Sequence, residues 1–326
     1  MNVCRLGCVS LLALAWCAPG FAQSYKAPRL SDGTPDFQGV WTNATATPME
    51  RPSEFGNRRA FSKEEAAAIE REARGRVAAD AAPSDPNKKI EAAASLPPVG
   101  NYNLFWTDRG MTAALINGEY RTSVLIDPPN GRFPELTAAA KNRERPMRFG
   151  ASDGPEQRSL GERCLLSFGS SGGPPMLPTM YNSYYQIVQS PGHVMILVEM
   201  VHDARIIRLG DKHLNGSVKK WMGDSVGHWE GDTLVVKTKN FRPDQTFRGS
   251  SVNMVVTERF TRTAADQIVY RFTIEDPTTF TAPFTGELPF MAVDSSVYEY
   301  ACHEGNYALP GILAAEREAE KAAAKK

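Results

Sequence analysis

The sequence predicts a mainly β protein, an antiparallel up-and-down barrel with an N-terminal helix and long loops packed on it. Three observations carry that expectation. Beyond Tyr181 the apolar residues fall into short runs of strand length, at 193–200, 204–209, 233–238, 254–262 and 267–275. The last two runs are joined by a turn of hairpin size, Thr263-Ala264-Ala265-Asp266. In the final run Ile268, Tyr270, Phe272 and Ile274 share one face, while Val269, Arg271, Thr273 and Glu275 share the other. That is the alternation of a strand with one dry side. Successive antiparallel strands at this spacing close into a barrel or fold into a sandwich, and the barrel is preferred.

Taken in order, residues 1–22 read as a secretory signal peptide. Arg5 supplies the positive start, residues 9–16 an apolar core too short to span a bilayer, and Gly20-Phe21-Ala22 small residues before a cut at Gln23. Residues 23–100 form an extended arm. It holds a short strand at 37–41 and a helix at 62–79, where Ser62 and Glu65 make a capping box before an alanine-rich run. Residues 80–100 are a connecting loop. The barrel domain is expected over 101–308, with earlier strands at 101–106 and 121–127, a basic stretch at 141–148, a Gly/Pro loop at 170–178 and a last strand at 297–301. The tail, 309–326, is a charged, alanine-rich helix.

Charge and cysteine content narrow the function. The 326-residue chain carries 37 basic and 37 acidic side chains, a balance that gives no footprint for nucleic acid or anionic membrane. No later stretch is apolar for long enough to cross a bilayer, so the expected partner is a small-molecule ligand in the periplasm or outside the cell. Cleavage removes Cys4, Cys8 and Cys17 and leaves Cys164 and Cys302. In an oxidising compartment that pair favours one disulfide, worth ~3–5 kcal/mol in the chain-entropy picture, over two buried thiols.

Several strings in the second half are long and specific: His202-Asp203-Ala204-Arg205, Gly227-His228-Trp229-Glu230-Gly231-Asp232-Thr233-Leu234-Val235-Val236, and Tyr298-Glu299-Tyr300-Ala301-Cys302-His303-Glu304-Gly305-Asn306-Tyr307. In these the chain resembles a large group of exported bacterial proteins. The resemblance implies a compartment and assigns no activity. A shorter likeness, Gly39-Val40-Trp41, is similar to the Gly-x-Trp strand that opens lipocalin barrels and implies a lipocalin-like barrel around a ligand cavity.

Three of the five histidines lie in polar segments beside strand-like runs, each with an acid within two residues. Imidazole with carboxylate suits proton transfer near neutral pH. His202 shares the parity of Val194, Ile196, Val198 and Met200, which puts it at a barrel mouth if that face is inward. Asp203 would orient it and Arg205 would hold developing negative charge, unless the three only tie a strand turn together. His228 and His303 are candidate partner acids. Trp106, Tyr184, Trp229 and Glu304 are candidate ligand contacts, although such aromatics commonly belong to the core. The ligand types also suit zinc, but no His-x-His or His-x3-His pair is present, so three distant strands would have to converge. No phosphate loop or dinucleotide fingerprint appears, and no cofactor is expected. Two functions follow. One is a cofactor-free enzyme moving a proton, of lyase, isomerase or hydratase type, on a small apolar or aromatic ligand with oxygen substituents. The other is a binding protein using the same pocket without turnover. A metal-dependent hydrolase or lyase is the third alternative.

Overall fold

The computed structural model describes residues 25–81, 108, 110–143, 154–166, 172–210, 212–243 and 247–325. The signal peptide, the strand expected at 101–106 with its Trp106, and most of the Ser/Gly loop after Leu166 lie outside the described residues. In chain order the elements are β1 (Gly39–Thr42), β2 (Ala60–Phe61), α1 (Lys63–Ala81), β3 (Leu115–Ile116), β4 (Glu119–Arg121), β5 (Leu125–Asp127) and α2 (Ala138–Lys141). Then come β6 (Tyr184–Ser190), β7 (His193–Val198), β8 (Ala204–Leu209), β9 (Asp224–Glu230), β10 (Thr233–Lys239), β11 (Val255–Ala264), β12 (Gln267–Glu275), β13 (Phe284–Ala292) and α3 (Ala308–Ala323).

Nine strands close a barrel in the order β1-β6-β7-β8-β9-β10-β11-β12-β13, with β13 returning to β1 through Trp41↔Ala292 and Thr42↔Met291. The expected barrel is therefore present, with one departure. Every neighbouring pair is antiparallel except β8 and β9, which run parallel at Ile207↔Ser225 and Leu209↔Gly227. A ring with an odd number of strands cannot alternate direction all the way round. One parallel pair is required, and the long connection between Leu209 and Asp224 carries the chain back to make it. The strand closing the ring also comes from the arm: β1 belongs to the barrel.

The expected last strand at 297–301 does not form; that place in the ring goes to β13. Its sequence hides it, because Gly286 and Pro289 read as breakers. Gly286 faces Phe272 across the pair, and a Cβ there would lie 2.3 Å from the Phe272 ring. Glu287 donates its N–H to the Val124 carbonyl (2.9 Å), away from β12, and Pro289, two residues on, turns its nitrogen the same way. The missing donor is therefore not taken from the β12–β13 ladder.

The barrel interior is a packed core. Inward residues alternate as the sequence predicts: Ile268, Tyr270, Phe272 and Ile274 on β12 are fully buried, as are Val194, Ile196 and Val198 on β7. Ring pairs such as Tyr185–Phe290 (5.1 Å) and Phe260–Tyr270 (4.9 Å) fill the middle. Arg205 on β8 reaches Glu258 on β11 with two strands between them, so this contact spans the interior. The volume that a lipocalin-like barrel would give to a ligand is occupied by these side chains.

Helix α1 lies outside the barrel, as its alanine-rich composition suggests. Ser62 Oγ accepts from the Glu65 N–H (3.2 Å) and the Glu65 carboxylate accepts from the Ser62 N–H (2.7 Å), the capping box expected there. Ala66 and Ala73, two turns apart, are buried, and Ala66 packs with Phe61 and Ala113. Among the described residues no helix is long and apolar enough to cross a membrane.

Candidate functional site

Beside the barrel, outside its wall, lies a cavity of ≈ 1200 Å³. Its floor is the end of the β6–β7 hairpin. Because Tyr185 and Val198 point inward, their neighbours Tyr184 and Glu199 point out, and they sit side by side with the Glu199 N–H donating to the Tyr184 carbonyl (3.0 Å). The roof is the segment between β13 and α3, with Tyr298, Tyr300 and Cys302, closed on one side by Leu309 and Ile312 of α3. The Cys164–Cys302 disulfide, with Cα atoms 5.7 Å apart, holds the roof down. Asn306 Nδ2 adds a bond to the Glu162 carbonyl at 2.7 Å. The pairing expected from cysteine parity is thus a wall of the cavity.

Glu199 is the unusual group. It is 4 % exposed, and its Oε1 accepts one hydrogen bond, from Asn182 Nδ2 at 2.7 Å. Its Oε2 is buried with no hydrogen-bond partner among the described residues. Burial pushes the carboxyl above its ordinary range; the Asn182 bond opposes this and the charge of Asp108 adds to it. Tyr184 is raised to about 12, chiefly by burial, then by the charge of Asp108 and a hydrogen bond to its carboxylate. Both groups are therefore pushed toward their protonated forms: the carboxyl becomes a stronger base once ionised, and the phenol keeps its proton at neutral pH.

A backbone kink follows Glu199 and ends the alternation of β7. Starting two residues after Glu199, Val201 (φ 62°) and His202 (φ 46°) adopt left-handed conformations, uncommon for any side chain and rarest for a β-branched one. Each costs roughly 1–3 kcal/mol and persists only where the surroundings fix it. Here Val198 donates to the Asp203 carbonyl (2.8 Å) across the kink. Asn182, which holds the Glu199 carboxylate, is also left-handed (φ 55°), a conformation asparagine tolerates.

The kink overturns the parity argument for His202. The alternation of β7 would carry His202 inward, but the two left-handed residues turn it out to solvent, where Nδ1 lies 3.3 Å from the Tyr300 carbonyl. It braces the cavity roof from behind. Past the kink the phase is reset, and Arg205 falls on the inner face with Ile207. There it is 2 % exposed and fully engaged: Glu258 through both guanidinium nitrogens, Ser225 Oγ at 3.0 Å and Thr238 Oγ1 at 3.0 Å. An arginine so paired is not available to hold an oxyanion, which corrects the expected His202–Asp203–Arg205 unit. Asp203 is half-buried at the head of β8.

The other candidates scatter. His228 points out from β9 and pairs with Glu230 (3.1 Å), while Trp229 turns inward against Phe37 (ring centroids 5.3 Å). His228 is at the far end of the barrel wall from His202. Ala204 begins β8 next to His202, and Leu209 ends it opposite Gly227, next to His228, roughly 17 Å of strand. His303 and Glu304 are exposed on the turn after Cys302. Convergence of the three histidines fails on this geometry, and among the described residues no three His, Cys, Asp or Glu side chains are grouped to hold a metal ion. Of the expected ligand contacts, Tyr184 lines the cavity. Glu199 and Asp108 were not expected; the usable signal was a lone acid inside the apolar run 193–200.

No protein-family model, curated protein sequence or solved structure matches the chain.

Proposed function

We propose that the protein is an exported acid–base enzyme whose proton carrier is Glu199, acting in the cavity beside the barrel on a small ligand with an apolar or aromatic body and oxygen substituents. One observation carries the reading: a buried carboxylate oxygen without a partner, on the wall of a large cavity. Leaving such an atom unpaired costs about 1–3 kcal/mol, and a chain that keeps it gains a base freed from water. In the proposed cycle Glu199 Oε2 takes a proton from a C–H of the ligand. The electron pair left behind forms a new double bond, and Tyr184, still protonated at neutral pH, turns its O–H from the Asp108 carboxylate to the oxygen that leaves or gathers charge. Elimination, isomerisation and the reverse hydration all use this pair. His202 becomes a positioning residue. The Cys164–Cys302 bond supports an oxidising compartment and hence export.

The test uses 5-nitrobenzisoxazole, a general reporter of carboxylate bases in apolar sites. Its ring C–H proton passes to the base, the C–H electron pair becomes the third bond of a nitrile, and the N–O bond breaks to give a coloured phenolate. The expected result is saturable turnover that rises with pH above the ordinary carboxylate range and falls about 100-fold or more in Glu199→Gln. Turnover unchanged in Glu199→Gln would refute the assignment, and ligand binding without any turnover would favour the binding-protein alternative.

A further inference from the structure

We infer that the cavity takes an organic cation, an ammonium group carried on an apolar or aromatic body. The inference deepens the proposed function and rests on its premise that the cavity of Glu199 is the ligand site. Four carboxylates line the cavity, those of Asp108, Glu162, Glu199 and Glu299, and no Lys, Arg or His is found among its described lining residues. Glu162 is neutralised by Arg158 at its edge. The other three leave the space negative, and the charge of Asp108 is close enough to oppose the ionisation of Glu199. An anionic ligand would add to that repulsion, whereas a positive one relieves it.

The second observation is the free Oε2 of Glu199, a buried acceptor that hydrogen-bonds to nothing described. An ammonium N–H on one lone pair of that oxygen makes the charge-assisted bond the protein itself does not provide, and the other lone pair is left to take the C–H proton. Tyrosine rings supply the remaining contacts a cation favours. Tyr181, Tyr184, Tyr298 and Tyr300 all line the space, and Tyr298 is 72 % exposed, a large ring face left open to solvent. A metal ion fits less well, because the carboxylates are spread around the space and not gathered on one point. Leu309 and Ile312 provide the apolar side against which the ligand body would rest.

The experiment compares three probes with one body and different heads, 2-phenylethylammonium, 2-phenylethanol and phenylacetate, titrated calorimetrically into the full mature protein. The expected result is ammonium binding at least tenfold tighter than the alcohol, no measurable phenylacetate binding, and a margin that narrows as salt is raised. Glu299→Gln, at the exposed rim, weakens the ammonium two- to threefold. Equal binding of ammonium and alcohol, or tighter binding of phenylacetate, overturns the cation assignment; if benzisoxazole turnover persists in that case, the acid–base reading stands without it. Ammonium selectivity in a protein that turns over no benzisoxazole leaves the cation assignment in place and removes the catalytic one. Failure of all three probes to bind removes the cation assignment, and benzisoxazole turnover then decides whether the acid–base reading stands.

Discussion

Glu258 and Glu199 are buried carboxylates on the same barrel, one inside the wall and one outside it. Glu258 is 0 % exposed and each oxygen is used. Oε1 accepts from Arg205 (2.9 Å) and from the Tyr270 hydroxyl (2.8 Å), and Oε2 accepts from the other Arg205 nitrogen. Tyr270 in turn accepts from the Met176 N–H at 3.0 Å, which ties a loop into the core. Glu199 has one amide bond and a free oxygen. Desolvation is repaid in the first case by charge and hydrogen bonds. In the second one oxygen is left without a partner, on a residue that lines a cavity. The difference separates a carboxylate kept for structure from one kept for chemistry better than burial alone does.

The largest effect expected is on the inner pair. Glu258→Gln leaves the Arg205 guanidinium buried without its counter-charge, and a loss of about 3–5 kcal/mol in urea unfolding follows. Arg205→Met with Glu258→Leu removes both charges and recovers most of that loss, leaving only the Ser225, Thr238 and Tyr270 hydroxyls to find new partners. A loss below about 1 kcal/mol in Glu258→Gln would mean that water reaches the barrel interior and that Glu258 is no better compensated than Glu199.

Glu199→Gln should act in the opposite direction on stability. The folded state raises the Glu199 pKa above its unfolded value, by burial first. For an acid shifted upward, folding favours the protonated form. Wild-type stability is therefore greatest below the unfolded carboxylate pKa of about 4.3 and declines as pH climbs through the raised folded value. Glutamine has no such titration. The variant gains on the wild type as pH rises, then holds a constant lead, while its turnover is lost. Thermal unfolding of both proteins across that range checks the sign. A wild-type protein that strengthens relative to the variant with rising pH would show Glu199 to be a stabilised, partnered carboxylate like Glu258.

How legible these two regions were differs for a physical reason. The barrel rests on local patterns: β8 keeps the bounds read from its apolar run, β12 those read from its run and alternation, and Ser62 with Glu65 marks the start of α1 within one turn. Cysteine parity found the disulfide because only two thiols are left once the expected signal peptide is set aside. The Arg205–Glu258 contact had no local sign, since its partners are 53 residues apart and meet only when the ring closes. His202 was misplaced by two left-handed residues that no periodicity announces, and β13 was masked by the Gly286 and Pro289 that its packing and ladder require. The candidate site draws on the turn after Asn182, the end of β7, the disulfide and α3, so its assembly is a property of the closed fold.

The smallest effect sharpens the comparison at its edge. His202 and Glu199 are three residues apart on one kink, and either can be argued as the proton carrier from residue type alone. The geometry separates them. Glu199 is buried on the cavity wall, whereas His202 is exposed and holds the Tyr300 carbonyl from behind. His202→Ala therefore removes one solvent-exposed hydrogen bond and should change stability by no more than about 0.5 kcal/mol. Benzisoxazole turnover should fall only a few-fold, through a looser roof that weakens binding more than the chemical step. The decisive quantity is the midpoint of the pH–rate profile, which belongs to the group that moves the proton. An unmoved midpoint in His202→Ala, together with its disappearance in Glu199→Gln, assigns the proton to the carboxylate. A midpoint lost in His202→Ala would return the chemistry to imidazole and make Glu199 the group that orients it.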